Sequence, residues 1–195
     1  EISSNYNHSL VLDSEGNVFG FGFNGDGRLA NNIPSNKPRR DTHYNILESN
    51  SIPILSKFFI HFKLKVKQVA CGSNFSLFLT NSLNVYSVGE GSHGQLGIQF
   101  SSQTITKERS SLLVPKLIYS LICYPIKEIK AGELHALALT EFGTCFSWGR
   151  NHKGQLGLNF ESKQDVYLPR QITHINNDVE IDHIYANSKS SAFVT

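Results

Sequence analysis

The chain has no methionine, a single tryptophan (Trp148) and three cysteines in 195 residues. Cys71, Cys123 and Cys145 are far apart. An odd count with no CxxC pair argues against both a disulfide framework and a zinc site. The missing initiator methionine, with the repeat phase described below, makes the chain read as an excerpt of a longer protein. No run reaches the ~18 apolar residues of a membrane span, and no signal peptide opens the chain. The expected compartment is therefore intracellular, cytoplasmic or nuclear. Charge is also sparse. Charged residues make up 17% of the chain and the net charge is +2, which makes no global case for nucleic acid or an anionic membrane. The one basic cluster, Lys37-Pro-Arg-Arg40, reads as a solvated loop. A long helical period is absent, whereas 39% hydrophobic residues suffice for a packed core.

What is present is repetition. Residues 69–97 align without a gap on residues 129–157 and share ten identities: Gly72/Gly132, Leu77/Leu137, Leu79/Leu139, Thr80/Thr140, Ser87/Ser147, Gly89/Gly149 and a closing Gly-Gln-Leu-Gly. A copy from Ile2 to Ala30 keeps Gly22, Gly27 and Leu29. A fourth copy starts at Ile184. The expected units are 1–67, 68–127, 128–182 and 183–195.

Each unit reads as β-structure. His135–Thr140 alternates in character or is buried on both faces, and Phe75–Thr80 and His8–Asp13 match it. A turn follows, then a strand beginning at Val18, Val85 or Cys145, which is a hairpin signal. Leu83 stands where the other turns have glycine, so a different turn type is expected there. Proline-bearing segments at 114–118 and 168–172 read as further short strands. Asn5, Gly72, Gly132 and Asn187 share one slot before the hairpin. Both residue types tolerate positive φ, so a left-handed turn is expected in every unit. The spacers 31–65 and 98–114 read as rim loops, with 56–62 apolar enough for core.

Several motifs dissolve into the repeat. Gly20-Phe-Gly-Phe-Asn-Gly25 spells GxGxxG, but no helix pattern follows it. His8 and His135 share a slot with Phe75 and Ser190, which suits packing or a hydrogen bond better than a metal. The sequons at Asn7 and Asn74 fall at one strand entry and read as accidental. Asp26 and Glu90 read as solvated turn residues. No catalytic, cofactor-binding or metal-ligating set can be assembled. The positions with a structural reading are Asn5, Gly22, Gly27, Gly72, Gly89, Gly94, Gly97, Gly132, Gly149, Gly154, Gly157 and a core Trp148.

The phrase AGELHALALTEFGTCFSWGRNHKGQLG, residues 131–157, resembles the repeat of the regulator of chromosome condensation (RCC) family. Copy two departs at Phe75, Leu83 and Val88. Copy one departs at Asn5, Phe21, Arg28 and Ala30. The resemblance implies an all-β fold, a seven-bladed β-propeller of which this chain would be an arc of about three blades plus part of a fourth. It also implies a non-enzymatic scaffold or adaptor that binds a protein partner through its loops, as in HECT-type ubiquitin ligases. The alternative it offers is guanine-nucleotide exchange on the small GTPase Ran. The loops expected to meet a partner are 28–40, 90–93, 99–111, 150–153 and 159–165, with Arg28, Arg39, Arg40, Glu90, His93, Arg150, His152 and Lys153 as candidate contacts. An open arc is also expected to seek its remaining blades or a second copy, and to be marginally stable or dimeric alone.

Overall fold

The computed structural model describes residues 1–31, 49–99, 111–159, 163–173 and 180–195. Strands β1 (Ile2–Asn5), β2 (His8–Leu12), β3 (Val18–Phe23) and β4 (Ser49–Leu55) form one antiparallel sheet in chain order. The second sheet holds β5 (Val66–Cys71), β6 (Phe75–Thr80), β7 (Val85–Glu90) and β8 (Ser111–Leu117). The third holds β9 (Ile126–Ala131), β10 (His135–Thr140), β11 (Cys145–Gly149) and β12 (Val166–Gln171). A hairpin of β13 (His183–Ala186) and β14 (Ser191–Val194) follows.

Burial resolves the reading of the second strands. Every residue of β6 and β10 is buried, whereas β2 alternates buried and half-buried. The second and third sheets each pack between two neighbours, so an alternating face has nowhere to emerge. The first sheet has one described neighbour. The core is accordingly a set of seams between sheets, filled by Leu10, Phe75, Leu77, Leu79, Leu137, Leu139 and Trp148.

Three expectations are corrected. Asn5, Gly72, Gly132 and Asn187 do not take positive φ; in the first unit the left-handed residue is Tyr6, at φ 51°. The glycines answer a demand for space instead. A Cβ on Gly72 would lie 1.9 Å from the Phe75 ring, and one on Gly132 would lie 2.1 Å from the His135 ring. Leu83 does not bring another turn type. Its φ is 63°, and Leu83 N–H donates to Thr80 O as Gly143 N–H does to Thr140 O. The leucine takes the left-handed conformation at a cost of roughly 1–2 kcal/mol. Finally, the spacer 31–65 is not all loop. It contains β4, with Pro53 on an outermost strand, and a five-residue helix α1 (Lys57–His61). That helix buries Phe58 and Phe59, and the Phe59 ring lies 4.8 Å from that of Phe78.

Polar ties cross the seams at repeating positions. His8 Nε2 meets Ser76 Oγ at 2.9 Å, and His135 Nε2 meets Ser191 Oγ at 3.0 Å. One slot on the innermost strands recurs as Glu1, Gln68 and Glu128. Its side-chain oxygen accepts from the backbone of the next sheet: Val69, then Ile129 N at 2.8 Å, then Ile184 N at 3.2 Å. This slot was missed in the sequence, because Glu and Gln on a short strand look like solvated residues.

Candidate partner-binding face

An antiparallel meander sorts its connections. The β1–β2, β5–β6, β9–β10 and β13–β14 turns lie at the same end of the sheets as the β3–β4, β7–β8 and β11–β12 loops. The other turns, α1 and the 3-10 turn at Tyr119–Leu121 lie at the opposite end. The described candidate contacts, Arg28, Glu90, His93, Arg150, His152 and Lys153, fall on the first of these faces, the loop face.

The described parts of the three long loops share one frame. Gly22, Gly89 and Gly149 have φ of +98°, +110° and +101°. A Cβ there would stand 2.4, 2.5 and 2.5 Å from the carbonyl oxygens of Asn7, Asn74 and Leu134, so no L side chain fits. The residue after each glycine, Phe23, Glu90 or Arg150, donates its N–H to that same carbonyl at 2.8 Å. The strand register shifts here in all three sheets, a bulge that bends the chain into the loop. Two successive turns follow, closed by Gly27, Gly94 or Gly154 and then by Ala30, Gly97 or Gly157, all at positive φ.

Side chains finish the frame. Leu29 N donates to Asn24 Oδ1 at 3.0 Å, and Leu156 N to Asn151 Oδ1 at 3.2 Å. Gln95 Oε1 accepts from His93 N, and Gln155 Oε1 from Lys153 N, both at 2.9 Å. Ser87 Oγ donates to Leu96 O at 2.7 Å, and Ser147 Oγ to Leu156 O at 2.8 Å. Trp148 Nε1 donates to Gln95 O at 2.9 Å across the seam. Thus the Gln and Ser of the recurring phrase are loop braces, a role their recurrence signalled without specifying.

The candidate contacts divide on this frame. Arg28 is 2% exposed and unavailable to a partner. It occupies the Gln95/Gln155 slot, donates to Asn7 Oδ1 at 2.7 Å, Ser73 O at 3.1 Å and Asn74 Oδ1 at 3.1 Å, and pairs with Asp26. It is a tie between the first two sheets. Glu90 is half-buried and accepts from Ser92 N at 2.8 Å and Gln95 Nε2 at 2.7 Å. His93 reaches from the second sheet's loop to Asp165 of the third, Nδ1 to Oδ2 at 2.8 Å. His152 Nε2 lies 3.7 Å from Oδ1 of the same aspartate. Arg150 is half-buried, and His152 and Lys153 are exposed. Arg39 and Arg40 lie outside the described residues, as do most of residues 28–40 and 99–111.

Two histidines and two thiols inside the seams are held neutral. Burial, assisted by the Arg28 guanidinium, pushes His8 down to about 3, and burial pushes His135 down to about 4. Burial likewise pushes the Cys71 and Cys145 thiols up to about 12, which leaves them weak nucleophiles. Among the described residues no three His, Cys, Asp or Glu side chains converge as metal ligands. The innermost strands line a concave trough of about 910 Å³, walled by Ser3, Ser4, Asn5, Asn74 and Asn187 with Glu1, Lys130 and Glu133. No described helix is long and apolar enough to cross a membrane.

Comparison with known proteins agrees with this geometry. The family model described as the regulator of chromosome condensation (RCC1) repeat matches residues 15–79, 84–139 and 143–194, and a second RCC1 repeat model matches 1–28, 66–95 and 126–155. The chain is 35% identical over 158 residues to the probable E3 ubiquitin-protein ligase HERC6 of Homo sapiens, covering 81% of this chain and 13% of that protein. It is 35% identical over 138 residues to the probable E3 ubiquitin-protein ligase HERC4 of Rattus norvegicus, covering 68% of this chain and 12% of that one. The chain therefore spans about an eighth of these relatives. Among solved structures, Prp20p of Saccharomyces cerevisiae, studied for its binding to Gsp1p and histones, superposes with a TM-score of 0.78. That match is 18% identical and covers 99% of this chain and 42% of Prp20p, a likeness of fold.

Proposed function

Because the chain belongs to the regulator of chromosome condensation (RCC1) repeat family, with three four-stranded blades and a hairpin in a partial β-propeller arc, we propose that it is a non-enzymatic interaction module. It binds a protein partner through its loop face. One observation carries the reading. The three long loops share backbone geometry at Gly22/Gly89/Gly149 and Gly27/Gly94/Gly154, while three of the four slots between differ completely: Phe23/Glu90/Arg150, Gly25/Ser92/His152 and Asp26/His93/Lys153. A rigid frame with free variation between its fixed points suits recognition, in which the frame sets position and the variable residues set the partner.

Photo-cross-linking tests this. A benzophenone residue at position 153 or 93 is expected to capture partner proteins from a lysate, and one at Phe142 on the opposite face is not. Capture from Phe142 alone would place the partner on the wrong face. Exchange on Ran is the competing reading, supported by family membership. Accelerated mantGDP release from Ran in the presence of the chain would favour it over the scaffold.

The repeat units 1–67, 68–127, 128–182 and 183–195 are the proposed modules of the arc. On the first blade, Ile2, Val11, Phe19 and Leu55 form one cross-strand row, with Ile2 and Leu55 exposed. That apolar row suits a further blade, or the flank of a second copy, and sedimentation of the chain alone reports which state it adopts.

A further inference from the structure

The three blade seams carry different charge on the loop face. At the first, Asp26 and Arg28 neutralise each other, with Arg28 buried. At the second, the groups are acidic: Glu90 is braced by Gln95, and Asp165 holds both His93 and His152. At the third, a cleft of about 80 Å³ opens between the β9–β10 turn, the β11–β12 loop and the β13–β14 turn. Arg150, Lys153 and Lys189 line it, opposed among the described residues by one acid, Glu133.

That acid is already engaged. Glu133 Oε2 accepts from Ser188 Oγ at 2.8 Å and lies 4.0 Å from Lys189 Nζ. Among the described residues, neither the Arg150 guanidinium nor the Lys153 ammonium pairs with a carboxylate. Both stand on braced backbone. Arg150 N–H is fixed to Leu134 O at 2.8 Å, and Lys153 N–H to Gln155 Oε1 at 2.9 Å. Two cations without counter-charges among the described residues, held on braced backbone beside a small cleft, form a preorganised anion site.

Resting on the reading of this face as the partner face, we infer that the third seam anchors an acidic peptide segment, with an Asp or Glu carboxylate of the partner between Arg150 and Lys153. The cleft has room for a carboxylate, since a water molecule takes a share of ~30 Å³. A nucleic acid fits poorly. Single-stranded bases are held by stacking on aromatic side chains, and among the described residues no Phe, Tyr or Trp lines this cleft, whereas a flexible acidic peptide seats one carboxylate and turns its other side chains to solvent.

Fluorescence anisotropy with labelled octaglutamate, octalysine and dT8 at low ionic strength tests this on the full chain. Octaglutamate alone is expected to bind, with affinity falling as salt rises. Arg150→Ala with Lys153→Ala is expected to weaken it at least tenfold, and Glu133→Gln to tighten it two- to fivefold. These side chains lie outside the core, and an unchanged thermal melt shows the variants folded. No octaglutamate binding at millimolar concentration, equal binding by the double variant, or dT8 binding as tightly as octaglutamate would each overturn the inference. If cross-links still form from position 153 when octaglutamate fails, this assignment alone falls. Absence of cross-links from the loop face removes the broader reading.

Discussion

Between the first and second blades, His8 of one sheet meets Ser76 of the next, and His135 meets Ser191 between the third blade and the closing hairpin. The corresponding slots of the middle seam hold Phe75 and Ala136, both fully buried. Histidine and serine have left together. The reason is energetic: a buried imidazole or hydroxyl stripped of its partner costs ~1–3 kcal/mol, whereas an apolar pair in the same space costs little. The middle seam has its own polar tie, Trp148 to Gln95 O, at a slot filled by Val88 in the second blade. The seams thus share a backbone frame and differ in how they lock, and each element of that contrast can be tested.

The shared frame should break first. Gly89→Ala and Gly149→Ala each place a Cβ about 2.5 Å from a carbonyl oxygen at a φ that L residues avoid. Each is expected to cost ~3 kcal/mol or more in urea denaturation. A loss under ~1 kcal/mol would show that the loops are not held by these glycines.

Acid should separate the seams next. His8 and His135 titrate near 3 and 4 in the folded state, against 6.5 for a free histidine. The unfolded chain therefore binds protons more readily, and stability falls as pH drops. The contribution is complete above about pH 6.5 and is lost progressively down to about pH 4 for His135 and pH 3 for His8, on the order of 3–5 kcal/mol for each histidine. His135→Phe with Ser191→Ala copies the middle seam. It is expected to remain within ~1 kcal/mol of the parent at pH 7 and to unfold less readily at pH 4. An unchanged pH slope would mean His135 is not the titrating group.

The middle seam offers a smaller effect. Trp148→Phe removes the donor to Gln95 O, with an expected loss of ~1–2 kcal/mol in thermal or urea melts. The least effect is a gain. Leu83→Gly relieves a left-handed leucine and is expected to stabilise by up to ~1 kcal/mol, whereas the same glycine in an ordinary turn would destabilise.

How much of this was legible depends on which constraint a residue answers. The recurring Gly-Gln-Leu-Gly and the apolar runs of β6 and β10 announced the sheets and their order. Internal alignment shows that a slot requires glycine without showing why. Gly89 needs its φ, whereas Gly72 needs the space under Phe75, and identical letters hide that difference. Leu83 misled in the opposite direction, since the hydrogen bonds of its turn outweigh its own preference. β4 was lost among Ser and Asn because its apolar residues are few and its partner, β3, is distant in sequence. Of the candidate contacts, Arg28 looked like a surface cation. Its burial depends on Asn7, Ser73 and Asn74, which only the packing of two blades brings together.

The central claim is that frame and recognition are separable on this face. The most direct test grafts second-blade residues onto the third-blade loop: Arg150→Glu, His152→Ser and Lys153→His together, with Asn151 kept as a brace. The melting temperature is expected to stay within about 2 °C of the parent while octaglutamate binding vanishes. A large fall in melting temperature, or octaglutamate binding retained by the grafted loop, would contradict the account.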